Sequence, residues 1–203
     1  MGRVTSLSKQ VARRVSSWRV LGMVLCTLFV ARGGTADDHT KQVTADRLSF
    51  RVPADWIQQT PASSMRKAQF EIPAENDDKE AASLVVYYFG PNQGGSVEAN
   101  LKRWEQQFEV PEGTSLAEVK KGEETRPAGL NVTILELAGT YVAPLSARNP
   151  NVRHNKPNFR LFAAVVETVD GPFFFKIVGP AQTMEQQRGQ YMQLIVSLSF
   201  QAK

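Results

Sequence analysis

Residues 84–104 read LVVYYFGPNQGGSVEANLKRW. The opening LVVYYF is an unbroken apolar and aromatic run, the pattern of a strand buried on both faces. From Val97 the period changes: Val97, Leu101, Trp104 and Phe108 form one apolar stripe, while Glu98, Lys102, Arg103, Glu105 and Glu109 take the other side of a helix. The connection holds Gly90, Gly94 and Gly95, and Gly90 and Gly95 have the G-x-x-x-x-G spacing of a phosphate loop. Ser96 stands where such a loop needs a lysine to meet the phosphates. The same serine fits a helix N-cap, its hydroxyl accepting from a free backbone N–H. The stretch therefore reads as a tight corner between a strand and a helix.

Outward from this corner the chain is rich in strands. In DRLSFRVPADW, Leu48, Phe50 and Val52 alternate with Ser49 and Arg51, and Pro53 ends the run. SMRKAQFEIP follows with Met65, Ala68, Phe70 and Ile72 apolar, then the charged turn ENDDKE. Beyond the helix, AEVKKGEETRPAGLNVTILELAGTYV reads as two strands joined near Arg126 to Gly129. FRLFAAVVETV and PFFFKIV read as a hairpin turning at Asp170-Gly171. Between Ala143 and Asn158 the periodicity disappears, and Pro144, Pro150 and Pro157 argue against regular structure there. A last helix is expected to open at Thr183, with Gln186 three residues on as a capping box, and to bury Met184, Tyr191, Leu194, Ile195 and Leu198. Consecutive strands with short turns and two one-faced helices imply an α+β fold, an antiparallel β-sheet sandwiched by amphipathic helices in a single domain.

The first 36 residues read as an address. Arg3, Lys9, Arg13, Arg14 and Arg19 precede the 12-residue apolar stretch Val20 to Ala31, and Gly34 and Ala36 suit a cut before Asp37. This stretch is shorter than the roughly 20 residues a membrane-spanning helix needs. The expected organisation is a signal peptide over 1–36, a flexible polar tail over 37–45, and a domain over 46–203, exported to the periplasm or beyond a bacterial cell. Of the 24 basic and 20 acidic residues, 6 basic and no acidic ones lie in the leader, so the remainder carries a net charge of about −2. The basic balance belongs to the leader, and nucleic-acid binding does not follow from it. A membrane association is expected only if the leader stays uncleaved or Cys26, the single cysteine, is lipidated; Leu25 before it suits a lipidation signal poorly.

Chemistry-bearing patterns are sparse. A nucleophilic triad would have to use His39 or His154, the two histidines, and Gly94-Gly95-Ser96 breaks the G-x-S-x-G elbow because Glu98 occupies the last position. No H-E-x-x-H occurs, and Glu75, Asp77, Asp78 and Glu80 lack the glycine turn and terminal glutamate of a calcium loop. No metal or other cofactor is expected. The one basic cluster is Arg148, Arg153, His154, Lys156 and Arg160, a candidate partner- or anion-docking loop as well as a plausible solvated one.

LSFRVPADW, SSMRKAQF, GGSVEANLKRW and GPFFFKIVGPAQT together resemble exported bacterial proteins of unknown function in the PsbP-like superfamily, which includes the Ran-binding Mog protein. The resemblance runs from about Asp46 to Phe200. It implies an antiparallel sheet between helices and a habit of binding partners without chemistry. The expectation is thus an exported noncatalytic binding or accessory domain whose partner is a protein or small ligand of the cell envelope. A cofactor-free hydrolase using Ser96 or an acid pair, and a membrane-tethered envelope protein, are the alternatives.

Overall fold

The computed structural model describes residues 39–116, 120–146 and 148–201. The expected leader and Cys26 lie outside the described residues. The central element is an eight-stranded antiparallel sheet. Its strands are β3 (Ile57–Gln58), β4 (Arg66–Ile72), β5 (Ala82–Tyr88), β6 (Phe108–Glu109), β7 (Lys120–Thr125), β8 (Asn131–Tyr141), β11 (Lys156–Glu167) and β12 (Phe173–Pro180). They lie in the order β3-β4-β5-β12-β11-β8, with β6 and β7 both pairing along the outer edge of β8. The β11–β12 hairpin turns at Asp170-Gly171, and β5 lies beside β12, so the two most apolar segments occupy the middle. A central strand covered on both faces has no solvated side, so the alternation of an edge strand is lost and Leu161 to Val166 are all fully buried.

Each face packs differently. On one, Ala82, Leu84 and Val86 of β5, with Phe173, Phe175 and Ile177 of β12, meet a three-stranded sheet of β1 (Thr40–Ala45), β2 (Leu48–Pro53) and β13 (Ser199–Phe200). The same core takes α2 (Ala181–Gln186) and α3 (Arg188–Val196) through Met184, Tyr191, Leu194 and Ile195. On the other face α1 (Val97–Glu105) packs Trp104, with Val97 and Leu101 beside it, against Leu135, Leu161 and Phe174. These helices are short: the architecture is a mostly β α+β fold in which helices cover parts of the sheet.

The corner before α1 forms as its residues require. Ser96 Oγ accepts from the Ala99 N–H at 3.2 Å. Gly94 has φ +91°, and a Cβ there would lie 2.5 Å from the Phe174 ring, so both conformation and packing demand glycine. Asn100 closes the corner by donating to the carbonyls of Gly94 and Ser96, both at 2.8 Å.

Four expectations are corrected. Thr40–Ala45, expected within a flexible tail, is β1, paired along its length with β2. The stretch 143–158, expected to be irregular, contains a separate hairpin of β9 (Pro144–Ser146) and β10 (Asn149–Arg153), and β11 already begins at Lys156. Prolines are tolerated because a two-stranded ribbon leaves one edge of each strand unpaired. The stripe at Val97 to Phe108 is one helix only as far as Glu105; Phe108 belongs to β6. Thr183 does not open the last helix: Pro180 holds the N-cap position, and Asp78 caps from across the chain by accepting from the Thr183 N–H at 2.7 Å and its hydroxyl at 2.8 Å.

Candidate functional site

The face that carries α1 is only partly covered, and beyond the helix it leaves a cleft of about 270 Å³. Strand alternation builds its floor: Val85 of β5, Lys176 and Val178 of β12 and Phe159 of β11 point the same way. Lys176 stands opposite Val85 on one side and Ala163 on the other, both too small to cover its long side chain. Tyr87 and Tyr141 form walls, with Arg66, Glu80 and Lys156 at the rim.

Lys176 Nζ donates to Gln107 Oε1 and, at 3.4 Å, to the Tyr141 hydroxyl, and lies 5.2 Å from the centroid of the Tyr141 ring. Gln107 is held there by the turn after α1, its N–H donating to the Trp104 carbonyl and its own carbonyl accepting from Val142. Tyr141 stacks on His154 with ring centroids 5.1 Å apart and on Phe159 at 6.3 Å. Arg66 lies 5.7 Å from the Tyr87 ring centroid while donating to Gln69 at 2.9 Å. Lys156 pairs with Glu80. Among the described residues, no carboxylate lies within ion-pair distance of Lys176.

The electrostatics follow from these surroundings. Lys176 keeps a partial opening to solvent, yet desolvation, reinforced by the charge of Arg66, lowers its pKa from 10.5 to about 8. Burial, with a smaller contribution from Tyr87, pushes Tyr141 up to about 12, so it stays a neutral phenol able to donate. Burial, then Lys156 and Lys176, lower the pKa of His154.

The expected docking cluster is divided. Lys156 lines the cleft, and His154 backs it through Tyr141. Arg153 braces the base of the β9–β10 hairpin by donating to the Val142 and Gln106 carbonyls. Arg148 is exposed at the turn of that hairpin. Arg160 leaves for the opposite face, where it pairs with Glu185 at 2.7 Å beside Arg188 and Glu136. The positive φ of Asn158 and the register shift between Lys156 and Phe159 mark the irregularity between these positions. Ser96 is engaged in the helix cap, and no hydrogen bond among the described residues joins it to His154. The residues the cluster missed are Lys176, Tyr141, Tyr87 and Arg66. One signal for them was the lysine interrupting PFFFKIV, the only charge in that strand.

A larger apolar groove of about 440 Å³ runs between β2 and α3, along Val52, Met192 and Val196. Among the described residues Arg51 is the only charged one on it, with Gln190, Gln193 and Ser197 as further polar lining. Among the described residues no helix is long and apolar enough to cross a membrane, and no group of three or more His, Cys, Asp or Glu side chains is placed to hold a metal.

No family model matches the sequence, and no curated protein does. Among solved structures, the chain is similar to cyanobacterial PsbP (CyanoP) from Synechocystis sp. PCC 6803, with 13% identity and a TM-score of 0.50 over 83% of this chain and 96% of that one. It is also similar to PA94 from Pseudomonas aeruginosa, a protein of unknown function, with 14% identity and a TM-score of 0.46 over 81% of this chain and 99% of that one. The likeness to CyanoP defines the fold as PsbP-like and goes no further than the fold.

Proposed function

We propose that the chain is an exported, noncatalytic binding domain of the bacterial cell envelope, and that the Lys176 cleft is where its ligand or partner docks. The observation that carries this reading is a cation set into the middle of the central sheet with no carboxylate partner among the described residues. Withdrawing a charge from water without an ion-pair partner costs stability. A guest that supplies the counter-charge offsets that cost, which gives the position a purpose. The export part of the reading is motivated by the leader pattern of residues 1–36, and the noncatalytic part by the separate structural engagements of Ser96 and His154.

The test is native mass spectrometry of the protein after incubation with bacterial envelope extract. A component retained by the wild type and lost in Tyr141→Ala is the expected result. Equal retention by both, or none by either, contradicts docking in this cleft. Hydrolysis of generic esters that disappears on Ser96→Ala contradicts the noncatalytic part.

A further inference from the structure

We propose that the cleft takes a small aromatic carboxylate, its carboxylate received by Lys176 Nζ and the Tyr141 hydroxyl and its ring lying among Tyr87, Tyr141 and Phe159. This names the ligand class for the site above, and so rests on the reading of the cleft as a docking place.

Three features select this chemistry. The first is charge. Lys156 is neutralised by Glu80, which leaves Lys176 on the floor and Arg66 at the rim without an ion-pair partner among the described residues. An anion is therefore attracted, and a cation meets like charge at the floor. The second is the number and kind of donors. Lys176 offers its one remaining N–H, while the Tyr141 oxygen accepts from Lys176 and retains its own hydrogen to give. Two donors side by side match the two oxygens of a carboxylate. A phosphate dianion, with more oxygens to satisfy, is matched less completely by two donors. The third is shape and surface. The Tyr141 and Phe159 rings line the cleft nearly parallel, tilted by only 11°, and His154 stacks behind Tyr141 at 26°. Beside them Val85 and Val178 add apolar surface to the floor that carries Lys176. A volume of about 270 Å³ lies just below the size of sites that enclose drug-sized molecules, so it suits a guest built on about one ring.

A neighbouring hollow lies on the α1 side of Lys176. It measures about 180 Å³, shares Tyr87 and Lys176 with the first and reaches Arg103 and Trp104.

The experiment is isothermal titration of the purified protein with benzoate, benzamide, acetate and inorganic phosphate, repeated with Lys176→Met, Lys176→Arg and Tyr141→Phe. Benzoate is expected to bind at least tenfold more tightly than the other three, since benzamide lacks the charge, acetate the ring, and phosphate the ring and the matching donor number. Lys176→Met is expected to weaken benzoate roughly 10- to 100-fold, the effect of losing a hydrogen bond to a charged group, while still unfolding cooperatively. Lys176→Arg should restore part of the loss, and Tyr141→Phe should cost a smaller factor of about 3 to 10. Equal binding of benzoate and benzamide, preference for phosphate, or full affinity in Lys176→Met overturns the proposal. If benzoate fails while an envelope component is still retained in a Tyr141-dependent way, the ligand class is wrong and cleft docking stands. If both fail, the cleft is not a site.

Discussion

The face of the central sheet that meets β1, β2 and the C-terminal helices differs from the face that carries α1 in how polar groups are treated. On the first, Trp56 is fully buried but donates its indole N–H to Gln187 at 3.0 Å, and Thr183 is fully buried but bonded to Asp78 and to the Glu75 N–H. Three buried polar atoms there have no partner among the described residues: the Tyr191 hydroxyl, the Arg160 Nε and one terminal nitrogen of Arg47. On the second face the main polar group is a cation, Lys176, held by a neutral amide and a phenol. Packing and satisfaction of hydrogen bonds explain most of the first face. They do not explain the second, where an apolar residue at position 176 would serve the fold better.

Substitutions can break or sharpen this contrast. The largest effect is expected on the satisfied face: Phe175→Ala, which removes a fully buried ring standing edge-on to Phe50, should cost about 3–5 kcal/mol in denaturant unfolding. A small loss would mean that this face is not the main core. Next comes Lys176→Met, with the opposite sign. A pKa moved from 10.5 to about 8, at about 1.4 kcal/mol per tenfold change in proton affinity, corresponds to a gain of up to about 3 kcal/mol near neutral pH. Below pH 8 Lys176 is charged in the folded and unfolded chain alike, and the cost is present in full. Between pH 8 and 10.5 the folded chain sheds the proton first, so wild-type stability rises and the advantage of the methionine shrinks. Unfolding curves of both proteins at pH 7 and pH 10 check this; an unchanged difference would show that Lys176 is well solvated. Thr183→Val should cost about 1–3 kcal/mol by leaving the Glu75 N–H without its acceptor and removing one of the two hydrogen bonds to Asp78, read from the same curves. The smallest change is Tyr191→Phe, which removes an unpaired hydroxyl and should be neutral or stabilising by about 1 kcal/mol. A clear destabilisation would mean that the hydroxyl has a partner.

The strand, corner and helix at residues 84–104 were legible because each depends on local rules: an apolar run, glycines at positive φ and a serine cap. Burial of Met184, Tyr191, Leu194, Ile195 and Leu198 followed from helical spacing alone. β1 was not legible, since TKQVTA buries only Ala45 fully and owes its form to pairing with β2. β9 and β10 escaped because proline rules apply to inner strands, whereas a hairpin of two has outer edges. The basic cluster seemed continuous in sequence, but alternation and the bulge near Asn158 send Lys156 and Arg160 to different places. Lys176 was visible as an interruption, but its meaning was not: Tyr141 lies 35 residues away and Gln107 lies 69.

The most direct measurement is the protonation of Lys176 itself, followed by NMR of ¹³C-labelled lysine side chains, assigned with Lys176→Met, across pH 6 to 11 with and without saturating benzoate. The charged and ionisable side chains around it are Arg66, Tyr87, Tyr141, His154 and Lys156, with Glu80 and Arg103 at the margins. A midpoint near 8 in the free protein that rises when benzoate is bound is the predicted result. A midpoint at the usual lysine value of about 10.4, unmoved by benzoate, would contradict the account of a cation held in waiting for an anion.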